Sequence, residues 1–314
     1  MREVEVDIAI RGNAETLRAG IEARPQSVRP GAPGAGAAEI REGEAPAPPA
    51  PGRWRHLASS VLPPVAIGVA ALATWEALVR LKAIPPYILP GPLLIGATLI
   101  KDWHTLYPSL LVTLAVTGAA LLVATVAGAA IAVLFAQSKW VERSFFPYAV
   151  ILQVTPIVAI APLIIIWVKN IQLSLLICAW IVAFFPVVSN TTLGLNSTDH
   201  HLLELFELYG ASRRQVLWYL RLPSAMPYFL GGVRISGGLA LIGAVVAEFV
   251  AGTGGTQSGL AYRILEAGYT MQIPRMFAAL ILISASGIMI FLALTALSHL
   301  ALKRWHESAR VRER

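Results

Sequence analysis

Six stretches of the chain are apolar almost without interruption, and polar or turn-forming residues gather between them. They run approximately from Leu57 to Val79, Ser109 to Phe135, Phe145 to Val168, Leu173 to Leu195, Phe229 to Ala251 and Phe277 to Leu302. Each is close to the roughly 20 residues that cross about 30 Å of hydrocarbon as a helix. The pattern therefore predicts an all-α polytopic membrane protein with six transmembrane helices and both termini on one side. Two connections are long. Lys82 to Pro108 carries Pro85, Pro86, Pro90, Gly91 and Pro92, and predicts turns with a short surface helix over Leu93 to Trp103.

The other long connection, Asn196 to Tyr228, has helical rather than strand periodicity. Asp199 can cap a helix whose apolar positions are Leu202, Leu203, Leu205, Phe206 and Leu208, with Glu204 and Glu207 between them. Gly210 breaks the run. A second helix is expected over Ser212 to Leu220, with Val216, Leu217 and Leu220 on one face and Arg213, Arg214 and Gln215 on the other. Pro223 is expected to stop it. A helix, a glycine turn and a helix then lie at the membrane face, with apolar residues that the connection alone cannot bury. An amphipathic hairpin resting in the lipid interface is one reading of this, and a docking element is the other.

Composition sharpens the membrane reading. The 314 residues are 56% hydrophobic and 14% charged, where a soluble domain carries about 25% charged residues. Sixteen charged residues and seven of the 21 prolines fall before Leu57, and Arg24 to Gly52 is dense in Pro, Ala and Gly. Such a segment cannot bury enough surface to offset its ordering entropy, so residues 1–56 are expected to be a disordered, uncleaved tail. Residues 57–302 are the transmembrane domain, and residues 303–314 a basic tail. With the termini inside, 18 basic residues lie on the cytoplasmic side against six outside; without the five arginines farthest from the first span the ratio is still 13 to six. Because Lys and Arg are retained on the cytoplasmic face, both termini are expected there. The net charge of +7 then reflects loop asymmetry, not nucleic-acid binding. Cys178 is the only cysteine, which excludes an intrachain disulfide and a thiolate metal cluster.

The segment Asn196 to Tyr228 resembles the EAA loop of ABC-importer permeases. Glu204 is followed six positions later by Gly210, then by Leu220, Leu222 and Pro223, with Ala225 and Pro227 beyond. Leu205 and Phe206 depart from the pattern, standing where two alanines are usual. The resemblance extends from about Ile84 to Arg304. Pro90-Gly91-Pro92, Thr155-Pro156 to Trp167, Phe184-Phe185-Pro186 with Asn190-Thr191, and Ala247-Glu248 are similar to the nitrate, sulfonate and taurine branch, with relatives that import pyrimidine precursors or riboflavin.

The resemblance implies a permease subunit in the bacterial cytoplasmic membrane, paired two-fold with a second copy and surrounded by lipid. A cytoplasmic ABC ATPase would hold ATP-Mg, and a periplasmic or lipid-anchored binding protein would deliver the solute. The chain itself would bind no cofactor and catalyse no reaction. Glu204, Leu205, Phe206, Gly210, Ala211, Leu222 and Pro223 would form the coupling segment. Arg213 and Arg214 can pair with carboxylates on the rim of an ATPase cleft. A short rigid helix joining two spans would transmit a rotation to both as a rigid body.

Other features carry less. Gly252 to Gly259 lacks the Gly-Lys-Ser/Thr ending of a phosphate loop and reads as an outer turn. His200 and His201 point about 100° apart on a helix and make a poor ligand pair. Glu76, Arg234 and Glu248 are the ionisable residues inside apolar runs. Pro147, Pro156 and Pro162 in the third run and Pro186 in the fourth call for either a broken helix lining a cavity or a packing kink. Gln153, Thr155, Pro156, Asn190, Thr191 and Glu248 are the polar and backbone-breaking candidates for a solute path. A membrane-embedded transferase acting on lipid-linked substrates would need clustered cytoplasmic carboxylates, and a proton-driven secondary transporter a relay of Asp or His. The chain offers neither pattern as plainly as it offers the loop.

Overall fold

Long apolar runs in a medium without water must satisfy their backbone internally, which makes helices of them. In the computed structural model, which describes residues 53–303 apart from 253 and 256, the secondary structure is helical throughout. The helices are α1 (Arg53–Leu81), α2 (Pro92–Lys101), α3 (Trp103–Gln137), α4 (Lys139–Val154), α5 (Ile157–Val168), α6 (Ile171–Asn196), α7 (His200–Leu208), α8 (Arg213–Ala251), α9 (Leu260–Tyr269) and α10 (Ile273–Leu302). Five of these are long and apolar enough to cross a membrane, or six if α4 and α5 form one span. The disordered tail expected over residues 1–56 lies outside the described residues except for its last four, which open α1. The basic tail lies outside them after Lys303.

Polar caps set the helix starts. Ser138 caps α4 through the Val141 N–H, Asn170 caps α6 through the Leu173 N–H at 3.0 Å, and Asp199 caps α7 through the His201 N–H at 2.9 Å. The surface helix expected after Pro92 is α2.

The bundle is organised around α3, α6 and α8, which share its most extensive contacts. Their seam is built of small residues: Ala120, Ala124 and Ala132 on α3, Ala179 and Ala183 on α6, and Ala240, Ala244 and Ala247 on α8 are all buried. Lipid is as apolar as any side chain, so helices in a bilayer associate through close packing and interhelical hydrogen bonds. Gly243 lets the α6 backbone approach so closely that a Cβ there would sit 2.8 Å from Ala179 Cα. Ser236 Oγ donates to the Ala183 carbonyl at 2.6 Å across the same seam.

One choice left open by the sequence is decided, and two expectations need correction. The third apolar run is not one helix, because α4 and α5 meet at Thr155-Pro156 and differ in direction by 100°. Thr155, preceding proline, is extended (φ −71°, ψ 124°), and Pro156 has no N–H with which to continue the ladder. Pro223 does not stop the second hairpin helix: α8 runs through it. Leu217–Arg221 forms a π-helical turn just before Pro223, and the wider turn removes the clash between the proline ring and the preceding turn. The fifth span therefore begins inside what reads as a loop. Finally, the connection between the last two spans contains α9, which was not expected.

Candidate functional site

The hairpin between α6 and α8 closes through two linked caps. At the end of α7 the Ala211 N–H donates to the Phe206 carbonyl at 2.9 Å and the Gly210 N–H to the Glu207 carbonyl at 2.9 Å, with Gly210 at φ +66°. This is a Schellman turn, and its left-handed residue explains why glycine stands there. Ser212 then opens α8 with a capping box: the Ser212 N–H donates to Gln215 Oε1 at 2.7 Å, and Ser212 Oγ accepts the Gln215 N–H. Residues 209–212 thus have both backbone ends pinned, and the turn is rigid although it is exposed.

From that turn α8 continues for 39 residues, about 58 Å at 1.5 Å per residue, well beyond the roughly 30 Å of a hydrocarbon core. Arg221 Nη1 donates to the Ala136 carbonyl at 3.1 Å and caps the end of α3. Lys139 Nζ bridges Glu142 at 3.0 Å and Asn196 Oδ1 at 3.3 Å, tying the start of α4 to the end of α6. A cleft of about 430 Å³ opens between the end of α3, α7 and the start of α8; Leu203, Glu207, Arg213, Arg214 and Arg221 line it.

The predicted coupling residues come together on this hairpin. Glu204, Leu205, Arg213 and Arg214 are exposed, Phe206 and Ala211 are half-buried, and Leu222 and Pro223 are half-buried within α8. The most exposed large apolar groups of the hairpin are Leu208 and Tyr209, at 85% and 82%, on either side of the helix end just before Gly210. Solvated apolar groups of that size beside a rigid turn form a surface suited to a partner.

The path candidates fall in three places. Gln153, Thr155 and Pro156 lie at the α4–α5 break, where the Thr155 hydroxyl bonds back to the Ile151 carbonyl at 2.7 Å. On α6, the Asn190 amide donates to the Pro186 carbonyl at 2.8 Å, and the buried Thr191 hydroxyl has no partner among the described residues. Pro186 is buried within α6 and does not break it. Glu248, near the end of α8, is buried against Thr113 of α3.

Sequence reasoning missed several polar ties at the end of the bundle opposite the hairpin. Asp102 pairs with Arg275 at 2.6 Å, and that guanidinium holds the Asp102 carboxyl below the usual carboxylate range despite its burial. Glu76 pairs with Arg80 at 2.6 Å and accepts the Leu93 N–H at 3.2 Å, tying α1 to α2. Away from that end, midway along α8, Arg234 lies over the Phe291 ring of α10 at 5.0 Å. One signal for the missed cluster was present: Ser109, Thr113 and Thr117 recur every fourth position of α3 and are all buried, a polar stripe on one helix face.

The described residues thus form an all-helical bundle, with five or six helices able to cross a membrane and an exposed, glycine-turned hairpin fused to one of them. The family described as "Binding-protein-dependent transport system inner membrane component" matches residues 124–304, and the chain belongs to it. It is 32% identical over 242 residues to the formylaminopyrimidine transport permease protein of Halalkalibacterium halodurans, covering 77% of this chain and 95% of that one. It is 28% identical over 263 residues to the taurine transport system permease protein of Escherichia coli, covering 81% and 94%. The fold is similar to that in a crystal structure of an amino acid ABC transporter with histidines, with a TM-score of 0.54 and 18% identity over 66% of this chain and 97% of that one. The chain is thus the transmembrane permease subunit of an ABC importer in the sulfonate-, taurine- and nitrate-like branch.

Proposed function

We propose that two copies of this chain enclose the path of an ATP-driven importer, and that Asn196 to Tyr228 is the segment through which a cytoplasmic ATPase drives it. The hairpin end is then cytoplasmic, as are both termini, and the far end faces a periplasmic or lipid-anchored binding protein. ATP-Mg belongs to the ATPase. The solute is a small sulfonate, an oxoanion or a heteroaromatic molecule of the kind named for the relatives: taurine, another sulfonate, nitrate, a pyrimidine precursor or riboflavin. Gln153, Thr155 and Pro156 at the break, with Asn190 and Thr191, supply polar groups and free backbone carbonyls to the path.

One observation carries the coupling role: the Gly210 turn passes without a flexible joint into α8, a span in the centre of the bundle. A partner gripping Leu208, Tyr209 and the turn would move α8 as a lever, with Arg213 and Arg214 pairing with acidic groups on its rim. The test is Gly210→Trp, which places a ring in the docking surface and a side chain at φ +66°. The variant is expected to reach the membrane at wild-type levels, while ATPase co-purification or ATP-dependent uptake of taurine, nitrate or riboflavin into vesicles falls at least about tenfold. Undiminished uptake would reduce the hairpin to a passive interfacial element. Wild-type uptake that persists without the ATPase would remove the ATP-driven reading altogether.

A further inference from the structure

Glu248 lies three residues before the end of α8 with only 3% of its surface exposed. A carboxyl group buried that deeply needs hydrogen-bond partners, and its partners lie on two other elements. Thr113 Oγ1 of α3 is 2.8 Å from Oε1 and 3.1 Å from Oε2, and the Ala261 N–H donates to Oε2 at 3.1 Å. Thr113 Oγ1 in turn accepts the Leu260 N–H at 2.9 Å. The first two amides of α9, which have no partners within their own helix, are therefore held by a carboxylate and a hydroxyl from two different spans. Gly259 faces the same carboxylate, and a Cβ there would fall inside it. One turn further on, Arg263 Nε donates to Ser109 Oγ at 2.9 Å while Nη1 pairs with Glu266 at 2.9 Å.

The hydrogen bonds of Glu248 thus go to α3 and α9, and the group is covered where a path residue would have to meet solute. We propose that Glu248 and Thr113 are positioning residues that seat α9 across the ends of α3 and α8, making the three one closing element at the outer mouth of the path. The word outer rests on the function proposed above; the latch does not. Gly259 is the place where the latch tolerates no side chain, and the Arg263–Ser109 bond fixes the rotation of α9 about its own axis. Any opening of the outer mouth then either carries α3, α8 and α9 together or breaks these bonds.

The test uses the full permease co-expressed with its ATPase, in a Cys178→Ser background, with Ala261→Cys as a probe at a fully buried position of α9 and Gln257→Cys as an exposed control. Opened membrane fragments are treated with an impermeant maleimide, so the rates do not depend on which face is outside. Glu248→Ala and Thr113→Val are expected to raise the labelling rate at position 261 about tenfold or more, since each removes hydrogen bonds that hold the amides of α9. Position 257 should be unchanged. Glu248→Gln and Thr113→Ser should stay within about twofold of wild type, because a carboxamide oxygen can accept the Ala261 N–H and serine keeps the hydroxyl. Wild-type labelling in both disruptive variants would overturn the latch. So would a Gln variant as reactive as the Ala variant, which would mean that charge and not the hydrogen bond matters at position 248. Labelling of Gln257→Cys in sealed, intact cells is a separate reading: if the reagent fails to reach it there, the assignment of the outer face falls while the latch stands.

Discussion

Asp102 and Arg275 join the short link between α2 and α3 to the first turn of α10 through a charge-assisted hydrogen bond of 2.6 Å, and Asp102 is 7% exposed. Breaking it leaves Arg275 without its carboxylate, so Asp102→Asn should destabilise the detergent-solubilised permease by on the order of 2 kcal/mol at pH 7. The pH dependence has a definite sign. Arg275 lowers the folded-state pKa of Asp102, so the stabilisation is fully present above the unfolded value of about 3.9 and is lost as the pH falls through the lower folded one. Thermal unfolding of both proteins should show a gap that is constant from about pH 7 to 5 and closes below about pH 4. A gap that widens on acidification would mean the pair is not what holds the link.

The hairpin and the fifth span are one element, and that follows from the π-turn at Leu217–Arg221, not from the apolar pattern. Inserting Gly-Gly between Val216 and Leu217 should keep the Gly210 turn and its docking surface while introducing a flexible joint. The ATPase should still co-purify, but ATP hydrolysis should continue with uptake reduced about tenfold, the signature of a lever that has lost its stiffness. Normal uptake by that variant would show that α7 and not α8 carries the motion. The helix–glycine–helix order and the Asp199 cap were legible because caps and periodicity are local properties. The passage through Pro223 was not, since it depends on a wider turn that no residue type announces. In the third run the choice between a break and a kink was posed by the prolines, but its outcome lay in the extended backbone at Thr155-Pro156. The α9 helix escaped because its start is held by Glu248 and Thr113, from elsewhere in the chain, and not by its own cap.

Across the whole molecule, the orientation proposed above rests on the distribution of basic residues and on an even number of spans, which the chain has if α4 and α5 form one. Cysteines at Gln137 and Gln257 should be labelled by an impermeant reagent from opposite sides of the membrane in a Cys178→Ser background; both side chains are exposed and neither position has a left-handed backbone. Labelling of both from outside intact cells would invert the topology. The small-residue seam of α3, α6 and α8 was not foreseen from hydropathy, because Ala and Gly lower the apolar signal while they raise the contact area between backbones.

The polar stripe of α3 also bears on the order in which the protein is built. Ser109, Thr113 and Thr117 each lie within reach of the carbonyl four residues earlier, at 3.3, 3.2 and 2.7 Å, so their hydroxyls are satisfied inside a solitary helix. As the chain emerges, α3 can rest in lipid as an independent span while 135 further residues are synthesised before Glu248 arrives. Thr113 then gives its hydrogen to that carboxylate in place of the Ser109 carbonyl. Assembly at this point is an exchange of partners, in which the Thr113 hydroxyl always has an acceptor.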